Sequence, residues 1–174
     1  METQDRVSRV EAVAQIRSMA MQFADLYFCF VQEIRVALGD EAAREMVRRV
    51  LFQRARERAA AMVARAQAQG IERTPENMPR VSDIAYMGWA PAPGREHCPF
   101  GVAWNARIAQ YPWFREYARM YCDVMDTTVA EAFTGNCSHK LLKNIVLGDE
   151  SCERVYYPDE AVKDGHFTYG EPME

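Results

Sequence analysis

Apolar residues recur at three- and four-residue steps over positions 6–38, through Ile16, Met19, Ala20, Phe23, Tyr27, Phe30, Val31, Ile34 and Leu38. That spacing predicts one long helix with a single broad apolar face. Gly39 suits the left-handed position that ends a helix, and Asp40 is placed to cap the next one. A second helical pattern runs from Glu41 to about Gln69 through Val47, Val50, Leu51, Ala55, Ala59, Met62, Val63 and Ala66, and Gly70 stops it. Its alanine-rich lower half permits close packing. Two such helices on a tight turn predict an αα-hairpin over residues 1–70, a scaffold or an oligomer interface.

The pattern breaks over 71–99. Pro75, Pro79, Pro91, Pro93 and Pro99 leave little room there beyond a short turn or an edge strand. An ordered loop of this length in a compact domain is often functional. After Phe100 a helical turn is expected, and Pro112 then fits the first position of a third helix. That helix carries Phe114, Tyr117, Tyr121, Val124, Met125 and Val129 and ends near Thr134-Gly135. The stretch "CSHKLLKNIVLGDESCERVYYP" has β-branched and aromatic runs around Gly148-Asp149-Glu150-Ser151, which predicts a β-hairpin with a short polar loop. In that loop Gly148 takes a positive φ and Asp149 bonds the backbone. The acidic tail, 159–174, is expected to lie loosely over the surface. The expected class is α+β in one domain, 1–174: a helical hairpin (1–70), a proline-rich loop (71–99), a motif-bearing helix and small antiparallel sheet (100–158), and the tail.

Composition narrows the function classes. With 174 residues, 49% hydrophobic and 26% charged, the chain reads as a soluble globular protein. A net charge of -4 gives no reason to expect a nucleic-acid partner. Residues 1–70 carry +2 and 71–174 carry -6, but the early arginines alternate with glutamates, as on a solvated helix face. The most apolar stretch, 19–38, is interrupted by Asp25, Glu33 and Arg35, so no membrane span is expected. The charged start lacks the apolar core of a secretory signal. Five cysteines (29, 98, 122, 137 and 152) without a C-x-x-C pair predict free thiols in a reducing cytoplasm.

Three groups of residues are candidates for chemistry. Pro99 at a helix start would leave the Cys98 thiol, with His97 beside it in sequence, near the positive end of the dipole. The alternative is that Cys98 is a small buried hydrophobe. Cys122 and Asp126 are four apart on the third helix, with Arg119 on roughly the same side. They fit either a desolvated general base beside a thiol or an Arg119–Asp126 surface pair beside a packed thiol. Cys137 and His139 share one strand face and Cys152 opens the partner strand. Together with Cys98 they are a conceivable zinc set, although their spacing does not encode one. Trp89, near Met87, is a pocket wall or part of a surface strap.

In order and spacing, "CPF" (98–100), "YCDVMD" (121–126) and "LGDESCERVYY" (147–157) resemble the L-2-amino-thiazoline-4-carboxylic acid hydrolase family, over roughly 95–158. The C-terminal part is also similar to 4-vinyl-reductase-like small-molecule-binding domains. Members of that group often carry a further cysteine where this chain has Asn144. The first resemblance implies hydrolysis of a C–N bond in a small nitrogen-containing ring of a small-molecule substrate. No cofactor and no metal are expected. Cys98 would attack or position the substrate, and Asp126, with Cys122 beside it, would act as base. His139 would donate the proton. Arg119, Lys140 and His97 would bind the substrate, with Arg119 or Lys140 holding its carboxylate. The second resemblance implies a non-catalytic small-molecule- or metal-binding module. In either case the long apolar helices predict a homo-oligomer through the N-terminal hairpin.

Overall fold

The computed structural model describes residues 7–89 and 94–169. Ser8 caps α1 (Arg9–Leu38), its hydroxyl accepting from the Glu11 N–H at 3.1 Å. Gly39 turns the chain at φ 78° into α2 (Asp40–Gln69), which ends at Gly70, φ 62°. Asp40 does not cap α2. It is the first residue of that helix, and its carboxylate pairs with Arg35 across the turn. The αα-hairpin is therefore present, with α1 starting at Arg9 rather than residue 6 and α2 at Asp40 rather than Glu41; residues 1–6 lie outside the described residues.

α2 is the central element. It packs on α1, on α6 and on the turn Tyr121–Asp126, and it buries Val47, Leu51, Phe52, Met62 and a run of alanines. Small side chains at Ala55, Ala59 and Ala66 let the neighbouring backbones approach.

Residues 71–99 hold more helix than the prolines suggest: short 3₁₀ turns at Pro75–Asn77, Tyr86–Gly88 and Gly94–His97, and the single turn α3 (Met78–Val81). Pro79 lies within the first turn of α3, where a missing N–H costs nothing. Pro91 and Pro93 lie outside the described residues.

A full helix, α4 (Pro99–Gln110), follows where the sequence suggested a single turn. Phe100, Trp104 and Ile108 mark its inner face at four-residue steps. Gly101 is required on that face, since a Cβ there would lie 2.1 Å from Ile145 Cδ1. Pro112 sits in the turn ahead of α5 (Phe114–Met120), not at its first helical position. α5 continues through a π turn (Tyr121–Asp126) into α6 (Thr127–Thr134), and Gly135 ends it at φ 74°. The buried residues Tyr117, Tyr121, Met125, Val129 and Phe133 recur every four positions. Each such step overshoots a 3.6-residue turn by about 40°. A wider π turn takes up that drift and keeps the stripe on the core.

β1 (Cys137–Lys143) and β2 (Glu153–Pro158) pair antiparallel, with His139 opposite Tyr156 and an irregularity between Leu141 and Lys143. Their connection, 144–152, is not a short polar loop: Ile145 and Val146 are buried in it. Asp149 accepts from the Asn144 N–H at 2.7 Å, and Gly148 has φ 107°. The tail is not loose as far as residue 169. Asp159 caps α7 (Glu160–Lys163), Phe167 lies edge-on to Phe52, and Arg48 donates to the Tyr169 carbonyl. Fully buried Glu131 accepts from the Ser138 hydroxyl at 2.6 Å and the Thr168 N–H at 3.1 Å, which ties the tail to α6 and β1. Among the described residues no helix is long and apolar enough to cross a membrane.

Candidate functional site

Cys98 is the N-cap of α4, with Pro99 at the first helical position and the Gly101 N–H directed at its sulfur at 3.5 Å. Residues 94–97 are held against α1 by Arg17, whose guanidinium donates to the carbonyls of Gly88 (2.8 Å) and Glu96 (2.6 Å). The π turn presents Tyr121, Cys122 and Asp126 toward the same region. Alternation along the strand brings Arg154 and Tyr156 of β2 to it from the other side.

These elements enclose a cavity of about 300 Å³. Trp89, Phe100, Trp104 and Tyr121 form an aromatic wall, with Phe100 5.7 Å from Tyr121 and 5.3 Å from Trp89 between ring centroids. Tyr86, Tyr156, Met62 and Met78 add to the apolar lining. The polar groups are few: Cys98, Cys122, Asp126, Arg154, Arg58, Glu76 and Ser82. A concave, mostly apolar space with a few convergent polar groups is the usual form of a small-molecule site.

Each cavity arginine is paired with a carboxylate. Arg154 Nη2 donates to Asp126 Oδ2 at 2.9 Å, and the attraction of Asp126 holds the guanidinium well above its ordinary value. Arg58, only 8% exposed, makes three contacts of 2.8–3.1 Å with Asp83. Burial works against the Arg58 charge, but the Asp83 hydrogen bonds outweigh it and raise the group. Burial also raises the Cys98 thiol, partly offset by the hydrogen bonds from Gly101 and Trp89. Cys122 is pushed well up, first by burial and then by the negative charge of Asp126. Cys152 adds a smaller push on both. At neutral pH both lining thiols are therefore protonated.

Of the candidates from sequence, Cys98, Cys122 and Asp126 meet in the cavity. The other four do not line it. Arg119 pairs with Asp123 at 2.9 Å, one helical turn on, so no Arg119–Asp126 pair forms. Lys140 is exposed on β1 opposite Val155, and His97 donates through Nδ1 to the Trp89 carbonyl at 3.1 Å. His139 is buried behind Tyr156, ring centroids 5.2 Å apart. The Thr127 hydroxyl donates to its carbonyl (3.2 Å) and sits 3.1 Å from Nδ1. Nε2 is buried with no hydrogen-bond partner among the described residues, and burial lowers the imidazole.

The zinc set does not assemble. Among the described residues no three His, Cys, Asp or Glu side chains are grouped to hold a metal, and the Cys137 thiol turns to the Asn136 side chain at 3.2 Å. Sequence reasoning missed Arg58, Arg154, Tyr86 and Tyr156. For Arg154 and Tyr156 of β2 a signal existed, because they alternate along one strand face, although Cys152 precedes the strand and does not open it. Arg58 reads as one more surface arginine. Comparison with protein-family models, with curated proteins and with solved structures yields no match.

Proposed function

We propose that this cavity binds a small, flat, nitrogen-containing ring compound bearing a carboxylate, and that the protein hydrolyses a C–N bond in it. The observation that carries the reading is the joint presence of Cys98, Cys122 and Asp126 in one aromatic-walled cavity, with Arg154 on the carboxylate. An amidine-like ring with a carboxylate complements the Asp126–Arg154 pair end to end. A substrate carboxylate that engages Arg154 draws the guanidinium away from Asp126 and frees that carboxylate to act as base. Water then adds to the C=N carbon: its oxygen bonds to carbon, the C=N electron pair moves to the ring nitrogen, and one water proton passes through Asp126 to that nitrogen. Collapse re-forms a C=O from the C–OH, breaks the ring C–N bond, and Asp126 carries the hydroxyl proton to the departing nitrogen. Protonated Cys98 and Cys122 serve to orient the ring by S–H contacts rather than to attack it. Arg154, rather than Arg119, Lys140 or His97, is the group for the substrate carboxylate.

A second reading rests on the same raised thiols. With no resting thiolate and a paired Asp126, the cavity also suits a module that binds a ring compound without turning it over. The two separate in one experiment: thermal-shift binding and product formation measured on a panel of 2-aminothiazoline carboxylates and cyclic amidines. Hydrolysis supports the first reading; stabilisation without product supports the second. Absence of both rejects the cavity as a site for this ligand class. Five unpaired cysteines are in keeping with a reducing compartment, and we propose the cytoplasm.

A further inference from the structure

The outer face of α1 has more apolar surface than the chain covers. Met19 is 74% exposed, Phe23 48%, Leu26 53% and Phe30 60%. They follow one another at steps of four, three and four, the spacing by which one helix presents a seam to another. We propose that a second copy of this chain covers this seam, two α1 helices packing face to face across a twofold axis.

Three observations select that occupant. The first is charge. From residue 18 to residue 32 the sequence carries one charged residue, Asp25, and it is already bound by Arg107 at 2.7 Å. A face brought against its own copy meets like with like, so an uncharged stripe is the arrangement that avoids repulsion. The second is area. At roughly 150–200 Å² per large side chain, the four exposures leave roughly 400 Å² of apolar surface, close to the apolar share of a standard interface of about 800 Å² per partner. The third is what the stripe lacks. Gln15, Gln22 and Glu33 border it, without the lysine and arginine fringe of a helix that lies on a membrane. The seam also touches the cavity: Phe23 packs 5.5 Å from Phe100 and 6.3 Å from Tyr121, both in the cavity wall. A partner that buries Phe23 thereby braces that wall.

Sedimentation equilibrium over a concentration series tests this without reference to any hydrolytic activity, so its outcome is separate from that of the proposed function. The expected result is a dimer for the wild type and a monomer for Leu26→Glu/Phe30→Glu, with an unchanged circular-dichroism spectrum. A wild type that stays monomeric at every concentration overturns the proposal, as does a double variant that remains dimeric. A monomer that instead binds phosphatidylcholine–phosphatidylglycerol vesicles replaces the second copy with a lipid surface.

Discussion

The two long helices have the same length, 30 residues each, and opposite fates. α1 has the larger apolar side chains yet buries only Ala20, Ala24, Phe28 and Val31. α2 alternates arginine with alanine yet buries nine residues, Arg58 among them. Position decides this. α2 lies between α1, α6 and the π turn, so even its small residues are enclosed, whereas α1 has neighbours on one side only. Hydrophobicity states what a helix is able to bury; topology states what it does bury. The surplus on α1 becomes a surface, and the alanines of α2 admit the neighbours that enclose the cavity.

The contrast is broken or sharpened first by matched truncations. Leu51→Ala on α2, at a site 4% exposed, is expected to cost about 2–5 kcal/mol in urea unfolding. Leu26→Ala on α1 is expected to cost less than about 1 kcal/mol at protein concentrations below dimerisation, because little area is lost from the monomer. Equal losses would erase the distinction between the helices.

A smaller effect is expected where the tail meets α6. Thr168→Val removes the hydroxyl that donates to buried Glu131 and is expected to cost about 1–3 kcal/mol in the same assay. An unchanged midpoint would mean that this hydroxyl adds nothing to the fold.

Smaller again is the pH dependence at His139. Burial lowers this group in the fold from an ordinary 6.5, against the pull of Asp126 and Asp123 and with the push of Arg154. The unfolded chain therefore takes up the proton first as pH falls. Stability is full above about 6.5 and is lost as pH drops toward the folded value. His139→Gln is expected to flatten the decline in melting temperature over that window. An unaltered slope would show that the imidazole does not titrate with unfolding.

Much of this architecture was legible because single residues mark it: glycines at 39, 70 and 135 end helices, and Pro99 sets Cys98 at a cap. Three features were not. The extent of α4 follows from its packing, where Gly101 sits because Ile145 leaves no room for a Cβ. The π turn has no residue signature beyond four-residue apolar steps. The partner of Asp126 proved to be Arg154, 28 positions away on β2, rather than Arg119 on its own helix. Helical spacing ranks local partners, whereas a pair made by folding a strand over a helix depends on register that no local pattern gives. Cys98, Cys122 and Asp126 were legible as a set, but the raised thiols follow from enclosure and require the fold.

Turnover by Asp126→Asn, measured beside the wild type on the aminothiazoline and cyclic-amidine panel, tests the central claim most directly. With an unchanged melting temperature, the expected rate is lower by about 10²–10⁴. Wild-type turnover in that variant would contradict it.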